Sequence, residues 1–301
     1  MTCDPLNPEC PPVPGHEPSD REPLPDREPL LRTLRPIVPV LSPDAVVRGL
    51  TAAYLWGVDL TAPEERIIRL PPRVALPPGT PLRGLPVAVR REVVPPVDRV
   101  AVAGIPVTSA ARTAAEVTAL APSVPVATAR IDAFLARGLV DPGRVLGHRH
   151  LFTGTHAKRL CTAVGYASPL SQSPAESWLR AVIRQAGLPP PLVQCPVPVG
   201  PRTLHADLGW PCYRLAVEYD SELHHHGPRP ERRDRARYTL MRAADWQVVP
   251  VTIHMLQCHT PKLLTRIRDE LFARGWSCPQ EHRDRMRLRI RGFGRRPPRL
   301  R

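Results

Sequence analysis

Two neighbouring stretches decide the fold of the second half of this chain: HADLGWP at residues 205–211 and LAVEYD at residues 215–220. Each reads as a predominantly apolar strand that carries a carboxylate. The short connection at residues 210–212 suits a hairpin, so the two strands are expected to pair. Pairing brings Asp207 close to Glu218. Asp220 shares a face with Glu218, because side chains alternate along a strand.

Carboxylates that follow a buried apolar run need charge compensation. An apolar run at residues 215–217 precedes Glu218, and a carboxylate in such a setting is costly unless a cation or hydrogen-bond donors compensate it. Hard oxygen ligands of this kind suit Mg²⁺ or Mn²⁺. Two interpretations follow. Either Asp207 and Glu218 hold a divalent metal, with Asp220 as a further ligand, or they are strand-end carboxylates paired with arginine.

The sequence around this hairpin predicts an α/β domain. A helix begins at Ser173-Pro174-Ala175-Glu176, carries apolar residues at helical spacing and closes at Gly187. Strands are predicted at 192–199, 203–209, 213–220 and 246–252, and helices at 231–244 and around 263–271. This order, with one helix before three strands and helices around the last strand, implies a mixed sheet flanked by helices.

The first half of the chain predicts a small α+β domain at residues 42–149. Ser42-Pro43-Asp44 has the pattern of a helix start, and that helix is expected to run to Gly57. Short strands are predicted at 67–70, 73–76, 85–94 and 100–102, followed by helices after Thr108-Ser109 and at 124–137. No cluster of acid, base and nucleophile stands out in this region.

The remaining segments lack a strong pattern. Residues 1–41 are rich in Pro, Glu, Asp and Arg without apolar periodicity, so a disordered tail is expected there. Residues 150–170 are expected to form a linker with a short helix, and 171–275 the α/β domain. Residues 276–301 form a tail dominated by arginine, which either contacts phosphates non-specifically or is only a solvated, solubilising end.

Composition favours a polyanionic partner without deciding the matter. The formal net charge is +14, which attracts phosphate, but Lys158 and Lys262 are the only lysines. An excess of arginine over lysine also follows from a GC-rich coding bias. The seven cysteines form no C-x-x-C pair, which argues against a zinc ribbon or a disulfide framework. No apolar run reaches about 18 residues and no secretory signal pattern opens the chain, so a cytoplasmic protein without membrane contact is expected.

The hairpin and its surroundings resemble a known nuclease family. The two opening stretches are similar to the "D-[hydrophobic]-x-W-P … L-x-V-E-x-D-G-x-x-H" signature of bacterial proteins related to the very-short-patch-repair (Vsr) endonucleases, in the PD-(D/E)xK superfamily. His224 falls at the signature histidine, and Arg233, Asp234 and Arg237 resemble the downstream "R-D-x-x-R" motif. Glu176 resembles the acidic residue of the family's first helix, although it equally fits a residue that stabilises a helix N-terminus. The resemblance implies a restriction-endonuclease-like mixed sheet flanked by helices, preceded by the small α+β domain.

The resemblance also implies a set of site residues. Metal ligands would be Asp207, Glu218 and Glu176 with Mg²⁺ (or Mn²⁺), and the catalytic set would be Asp207, Glu218, Asp220 and His224. Arg233 and Arg237, one helical turn apart, would contact a DNA phosphate, although they equally fit the wet face of a helix. Two departures matter. Asp220 stands where the superfamily usually has lysine, and Ser221 replaces the family glycine.

A second, weaker resemblance concerns the first half of the chain. Leu55-Trp56-Gly57 and residues 105–113 (IPVTSAART) are similar to the AbiEi-like domain of type IV toxin–antitoxin systems. The two resemblances support two functions. One is a metal-dependent DNA endonuclease that hydrolyses phosphodiester bonds in repair or phage defence. The other is a catalytically weak DNA-binding regulator related to toxin–antitoxin proteins. A structural protein without nucleic-acid contact is a third, weaker alternative. DNA is the expected partner, and the sequence leaves a toxin–antitoxin partner and the oligomeric state open.

Overall fold

The computed structural model describes residues 24–61, 66–82, 84–220 and 228–295. The chain divides into two compact units, Glu22–Pro169 and Leu170–Arg299. Each unit carries its own mixed sheet with helices packed against it.

The first unit is built on a five-stranded sheet in the order β3-β2-β1-β5-β4. Its helices are α1 (Glu28–Ile37), α2 (Gly49–Leu55), α3 (Ala110–Ala119), α4 (Val124–Ala136), α5 (Pro142–Gly147) and α6 (Gly154–Tyr166), and its strands are β1 (Val46–Val47), β2 (Arg73–Leu76), β3 (Ala88–Arg91), β4 (Arg99–Val102) and β5 (Ile105–Thr108). The β1–β5 and β2–β3 pairs are parallel, and the β1–β2 and β4–β5 pairs are antiparallel.

Serine caps set the start of the two central helices of this unit. The Ser109 hydroxyl accepts from the backbone N–H of Arg112, and the Ser123 hydroxyl accepts from that of Val126. Such caps satisfy helix-end donors that would otherwise lack a partner. The alanine-rich α3 then packs closely against α4 and α6 in one apolar core. The helices predicted after Thr108-Ser109 and at 124–137 are confirmed.

Other elements of the first unit differ from the sequence predictions. The helix expected from Ser42 begins only at Gly49, because the Val46–Val47 pair joins the sheet as β1. The strand predicted at 67–70 is a 3-10 helix, Ile67–Arg69. The prediction of disorder up to residue 41 is wrong for α1, whose Leu30 and Leu34 are fully buried against the sheet. Residues 1–23 lie outside the described part of the chain.

The segment expected to be a linker belongs to the first unit. Its helix α6 is 13 residues long, and its apolar face includes the buried side chains of Ala157, Leu160 and Ala163. These side chains join the core formed by α3 and α4. The linker prediction for 150–170 is therefore wrong over α6.

The second unit has a four-stranded sheet in the order β6-β7-β8-β9. Its helices are α7 (Pro174–Ala186), α8 (Pro228–Ala243), α9 (Ile253–Cys258), α10 (Thr260–Ala273) and α11 (Gln280–Arg295), and its strands are β6 (Leu192–Val199), β7 (Arg202–Trp210), β8 (Leu215–Asp220) and β9 (Gln247–Thr252). Strands β6, β7 and β8 are antiparallel neighbours, and β8 pairs in parallel with β9. The crossover connection between β8 and β9 contains α8. The predicted mixed sheet flanked by helices is confirmed.

Local signals account for the start of this unit. The Ser173 hydroxyl caps α7, and Gly187 ends it with a φ of +86°, a conformation that glycine adopts without strain. Trp178 and Ile183 on α7 are fully buried against the sheet. Gly209 of β7 lies so close to its neighbour β6 that an added Cβ would meet the Cys195 sulfur at 2.8 Å.

Two helices at the end of the chain were not predicted. The short α9 follows β9 and is capped by the Thr252 hydroxyl, which accepts from the backbone N–H of Met255. The arginine-rich end expected to be a tail forms α11, which buries Met286 and Ile290 in the core of the unit. The tail prediction is therefore wrong for residues 280–295.

Candidate functional site

The carboxylates of the central hairpin lie at neighbouring positions. The antiparallel register of β7 and β8 ends at the Leu208–Val217 pair, so Asp207 and Glu218 are the next residues on the two strands. Oδ2 of Asp207 also accepts a 2.7 Å hydrogen bond from the backbone N–H of Tyr219. The structure thus places the two residues on which the predicted metal site depends at the same end of the β7–β8 ladder.

Glu176, in the first turn of α7, lies close enough to Asp207 to feel its charge. Its carboxylate accepts from the Ser173 hydroxyl at 3.0 Å and from the backbone N–H of Gln172 at 3.0 Å, while the Ser173 hydroxyl accepts from the N–H of Glu176 at 3.2 Å. This reciprocal arrangement resembles a capping box, except that the carboxylate accepts from the N–H of Gln172 and not from that of the N-cap residue Ser173. Glu176 is only 6% exposed. Burial, with the neighbouring negative charge of Asp207 as a second cause, raises the pKa of the Glu176 carboxyl to about 7.

Arg237 of α8 supplies a positive charge to the same place. Its Nη1 lies 3.2 Å from Oε2 of Glu218, and its Nη2 donates to the backbone carbonyl of His205. Glu218 itself is 2% exposed. A guanidinium at this distance offsets part of the cost of burying the carboxylate. For Glu218, the geometry is the one expected from the arginine-paired interpretation of the sequence, and the phosphate contact of Arg237 stays a prediction.

The other predicted site residues are less fully described. Asp220 ends β8 opposite Thr252 of β9 and is half-buried, two residues beyond Glu218. His224 lies outside the described residues, and Arg233 is described only as a position on the backbone of α8. Within the described ranges, no group of three or more His, Cys, Asp or Glu side chains is arranged to hold a metal ion.

The chemistry of the donors fits a cation site of two carboxylates. Asp207 and Glu218 are hard oxygen donors on adjacent strands, which suits Mg²⁺. Both oxygens of Glu176 already accept hydrogen bonds in the helix cap, and Glu218 already has a guanidinium beside it. A metal ion at this place would therefore compete with Arg237 for Glu218.

The first unit contains a buried network of charges that the sequence analysis missed. Arg112 of α3 is 2% exposed and lies at the centre, with its guanidinium 3.1 Å from Asp98, 3.2 Å from Glu116 and 3.4 Å from Glu92. Arg48 adds ion pairs of 3.0 Å to Glu92 and 2.9 Å to Glu116. The signal that could have found it is an arginine and a glutamate four residues apart on the alanine-rich helix α3.

His148 extends this network to the start of the four-residue turn after α5. Its Nε2 lies 2.9 Å from Oδ1 of Asp98, and the Ser109 hydroxyl donates to the same oxygen at 3.3 Å. Burial alone would raise the pKa of Asp98, but the hydrogen bonds from His148 and Arg112 outweigh it and lower that pKa. The network joins α3, the sheet and this turn, which is a structural role. Its arrangement does not resemble a nucleophile with its general base.

Residues 45–161 match a protein-family model, the AbiEi antitoxin C-terminal domain. Two uncharacterized proteins of Mycobacterium tuberculosis, from strains CDC 1551 / Oshkosh and ATCC 25618 / H37Rv, are each 33% identical to this chain over 107 residues. The aligned part is 35% of this chain and 40% of each relative, so the chain spans less than half the length of these relatives. No solved structure matches the chain.

The AbiEi-like segment covers most of the first unit. It begins beside β1 and ends inside α6, so it includes the whole five-stranded sheet and the network around Arg112. The AbiEi resemblance expected from the sequence is confirmed over this segment. None of the described helices is both long enough and apolar enough to cross a membrane.

Proposed function

We propose that this protein is a DNA-binding regulator related to the antitoxins of type IV toxin–antitoxin systems. The observation that carries the proposal is the match of residues 45–161 to the AbiEi antitoxin C-terminal domain. The net charge of +14 supports DNA as the partner, since a basic protein gains affinity by releasing the counterions of phosphates. The second unit would then be a restriction-endonuclease-like fold that binds DNA with little or no turnover.

The state of the carboxylates supports weak catalysis. Glu218 lies beside the guanidinium of Arg237, and Glu176 serves as a helix cap. Both groups have structural roles that do not need a metal.

A second candidate, a metal-dependent DNA endonuclease, is favoured by one specific observation. Asp207 and Glu218 occupy neighbouring positions on paired strands, as the resemblance to Vsr-like PD-(D/E)xK nucleases implies. In that function Asp207 and Glu218 would hold Mg²⁺ or Mn²⁺, with Asp220 and Glu176 nearby. A metal ion there would polarise a phosphoryl oxygen and lower the pKa of a bound water. Arg237 would have to release Glu218, and its guanidinium would then be available to a phosphate.

One experiment separates the two functions. DNA binding is measured by fluorescence anisotropy, and nicking of a supercoiled plasmid is followed with Mg²⁺, with Mn²⁺ and with EDTA. The wild type is compared with Asp207→Ala and with a control, Asp284→Ala, which removes an exposed carboxylate of α11. A regulator binds DNA in all three forms and nicks in none.

Three other outcomes of this experiment would change the assignment. Nicking that needs the metal ion and disappears in Asp207→Ala, but not in Asp284→Ala, would replace the regulator by the nuclease. Nicking that is the same in the wild type and in Asp207→Ala would point to a contaminating enzyme and reject the nuclease. Absence of DNA binding in the wild type would reject both functions.

A further inference from the structure

An open groove runs between the last two helices of the second unit. It has a volume of about 700 Å³. Pro261 and Ala273 of α10 and Ile290 of α11 give it an apolar part, and three cations, Lys262, Arg266 and Arg291, also line it. Both walls of the groove are held in place, because α10 and α11 are long helices that pack on the core. We call it the α10–α11 groove.

The three cations of the groove are exposed to solvent. Among the described residues, no ion pair or hydrogen bond is found for the side chains of Lys262, Arg266 or Arg291. Lys262 and Arg266 are four residues apart on α10 and therefore lie on the same face. Three side chains of one sign thus surround a concave surface.

The acidic residues of the groove have partners of their own. Asp269 accepts hydrogen bonds of 2.8 and 2.7 Å from Arg268, and Glu270 accepts from the side-chain amide of Gln247 at 3.1 Å. The charge of Asp269 is therefore partly compensated by Arg268, which is outside the set of three cations, while the neutral amide of Gln247 leaves the charge of Glu270 in place. Three cations against two carboxylates, one of which is paired with Arg268, leave the groove with an excess of positive charge, which attracts an anion.

We propose that the α10–α11 groove binds the sugar–phosphate backbone of DNA. Phosphates would contact Lys262, Arg266 and Arg291, and the apolar part formed with Ile290 would accept a sugar. Contacts of this kind position a protein on DNA but do not select a sequence. The inference rests on the proposed DNA binding and deepens it, because it assigns the contact to α10 and α11 and not to the carboxylates of the hairpin.

The test uses the full chain and DNA duplexes of about 30 base pairs with two unrelated sequences. Affinity is measured by anisotropy over a series of salt concentrations. In the variant, Lys262, Arg266 and Arg291 are all replaced by Gln. Each lost phosphate contact lowers the slope of log affinity against log salt by about 1, so the slope should fall by about 3, equally for both sequences.

A matched control separates a defined site from general attraction. It replaces three other exposed arginines of the same unit by Gln, namely Arg202, Arg242 and Arg285, and so has the same net charge as the variant. Glutamine is a good helix former, and circular dichroism with thermal melting shows that both proteins are folded. The control should keep most of the wild-type slope.

The result decides between the inference and its alternatives. Equal losses of slope in variant and control would overturn the groove as a defined site, as would a wild-type slope in the variant. Competition by polyglutamate as strong as that by DNA would also overturn it, because it would indicate an acidic protein as the ligand. A wild type that binds no DNA would overturn the groove and the proposed function together, whereas DNA binding that does not depend on the three cations would overturn the groove alone.

Discussion

The carboxyl of Glu176 should make the second unit less stable as the pH rises. The ordinary pKa of glutamate is 4.5, and burial beside Asp207 raises that of Glu176 to about 7. The fold therefore favours the protonated form. Its contribution to the free energy of unfolding is fully present below pH 4.5 and is lost as the pH rises to about 7. At about 1.4 kcal/mol per pH unit, the loss amounts to about 3 kcal/mol.

Glu176→Gln tests this directly. The side-chain oxygen of glutamine can still accept from the N–H of Gln172, and its NH₂ group can donate to the Ser173 hydroxyl oxygen. The cap can therefore persist without a charge. The stability of the variant minus that of the wild type should therefore increase by about 2 to 3 kcal/mol between pH 5 and pH 8. Other titrating groups are common to both proteins and cancel in the difference.

The measurement is urea unfolding followed by tryptophan fluorescence. Four of the five tryptophans lie in the same unit as Glu176, so the signal reports mainly on that unit. Glu281→Gln, which removes an exposed carboxylate from α11, is the control, and its effect on stability should be small at each pH. A difference between Glu176→Gln and the wild type that changes by less than about 0.5 kcal/mol from pH 5 to pH 8 would refute the reasoning.

Two further predictions concern the buried network of the first unit. Arg112→Met should lower the free energy of unfolding of that unit by about 3 to 5 kcal/mol, because it removes the cation shared by three carboxylates; thermal melting checks this, and a loss no larger than that of the exposed control Arg144→Met would contradict it. The lowered pKa of Asp98 means that its ionised form stabilises the fold above pH 3.8, and that this contribution is lost as the pH falls through the lowered value. Asp98→Asn should therefore have a lower free energy of unfolding than the wild type at pH 7 and approach the wild-type value at pH 3, as measured by circular dichroism. A difference in stability that is as large at pH 3 as at pH 7 would disprove this role of Asp98.

Strong local signals made the start of the second unit predictable. The Ser173 cap and Gly187 frame α7, and β6 has the bounds that the sequence predicts. Both signals are properties of short stretches, since a cap needs a hydroxyl and a helix end favours a glycine. The hairpin that places Asp207 beside Glu218 is predictable for the same reason, because strand pairing through a short connection is local.

Elements that depend on tertiary contacts were missed. In α1, proline and charged residues hide the helical spacing of Leu30, Leu34 and Ile37, and in α11 alternating arginines hide the Met286–Ile290 pair. The two-residue strand β1 exists only through its pairing with β2 and β5. A ladder of this kind has no signature in its own stretch of sequence.

The position of Arg237 could not be predicted either. The sequence shows a charged helix, but which of its side chains reaches the sheet depends on how the crossover helix α8 is rotated above β7 and β8. The contact with Glu218 joins residues 19 positions apart across that crossover, and the contact with the His205 carbonyl spans 32. Periodicity alone is weak here, because the polar residues of this helix surround it on most sides.

The tight fit of Gly209 ties the acidic pair to the interior of the sheet. Beyond the Cys195 sulfur, a methyl group at this position would also meet the backbone carbonyl of Leu215 at 3.1 Å. A larger side chain at position 209 would thus push β6 and β8 away from β7, two residues from Asp207. Small changes in spacing there would be transmitted along a stiff strand. The alignment of the two carboxylates therefore depends on a glycine, a residue without a side-chain functional group.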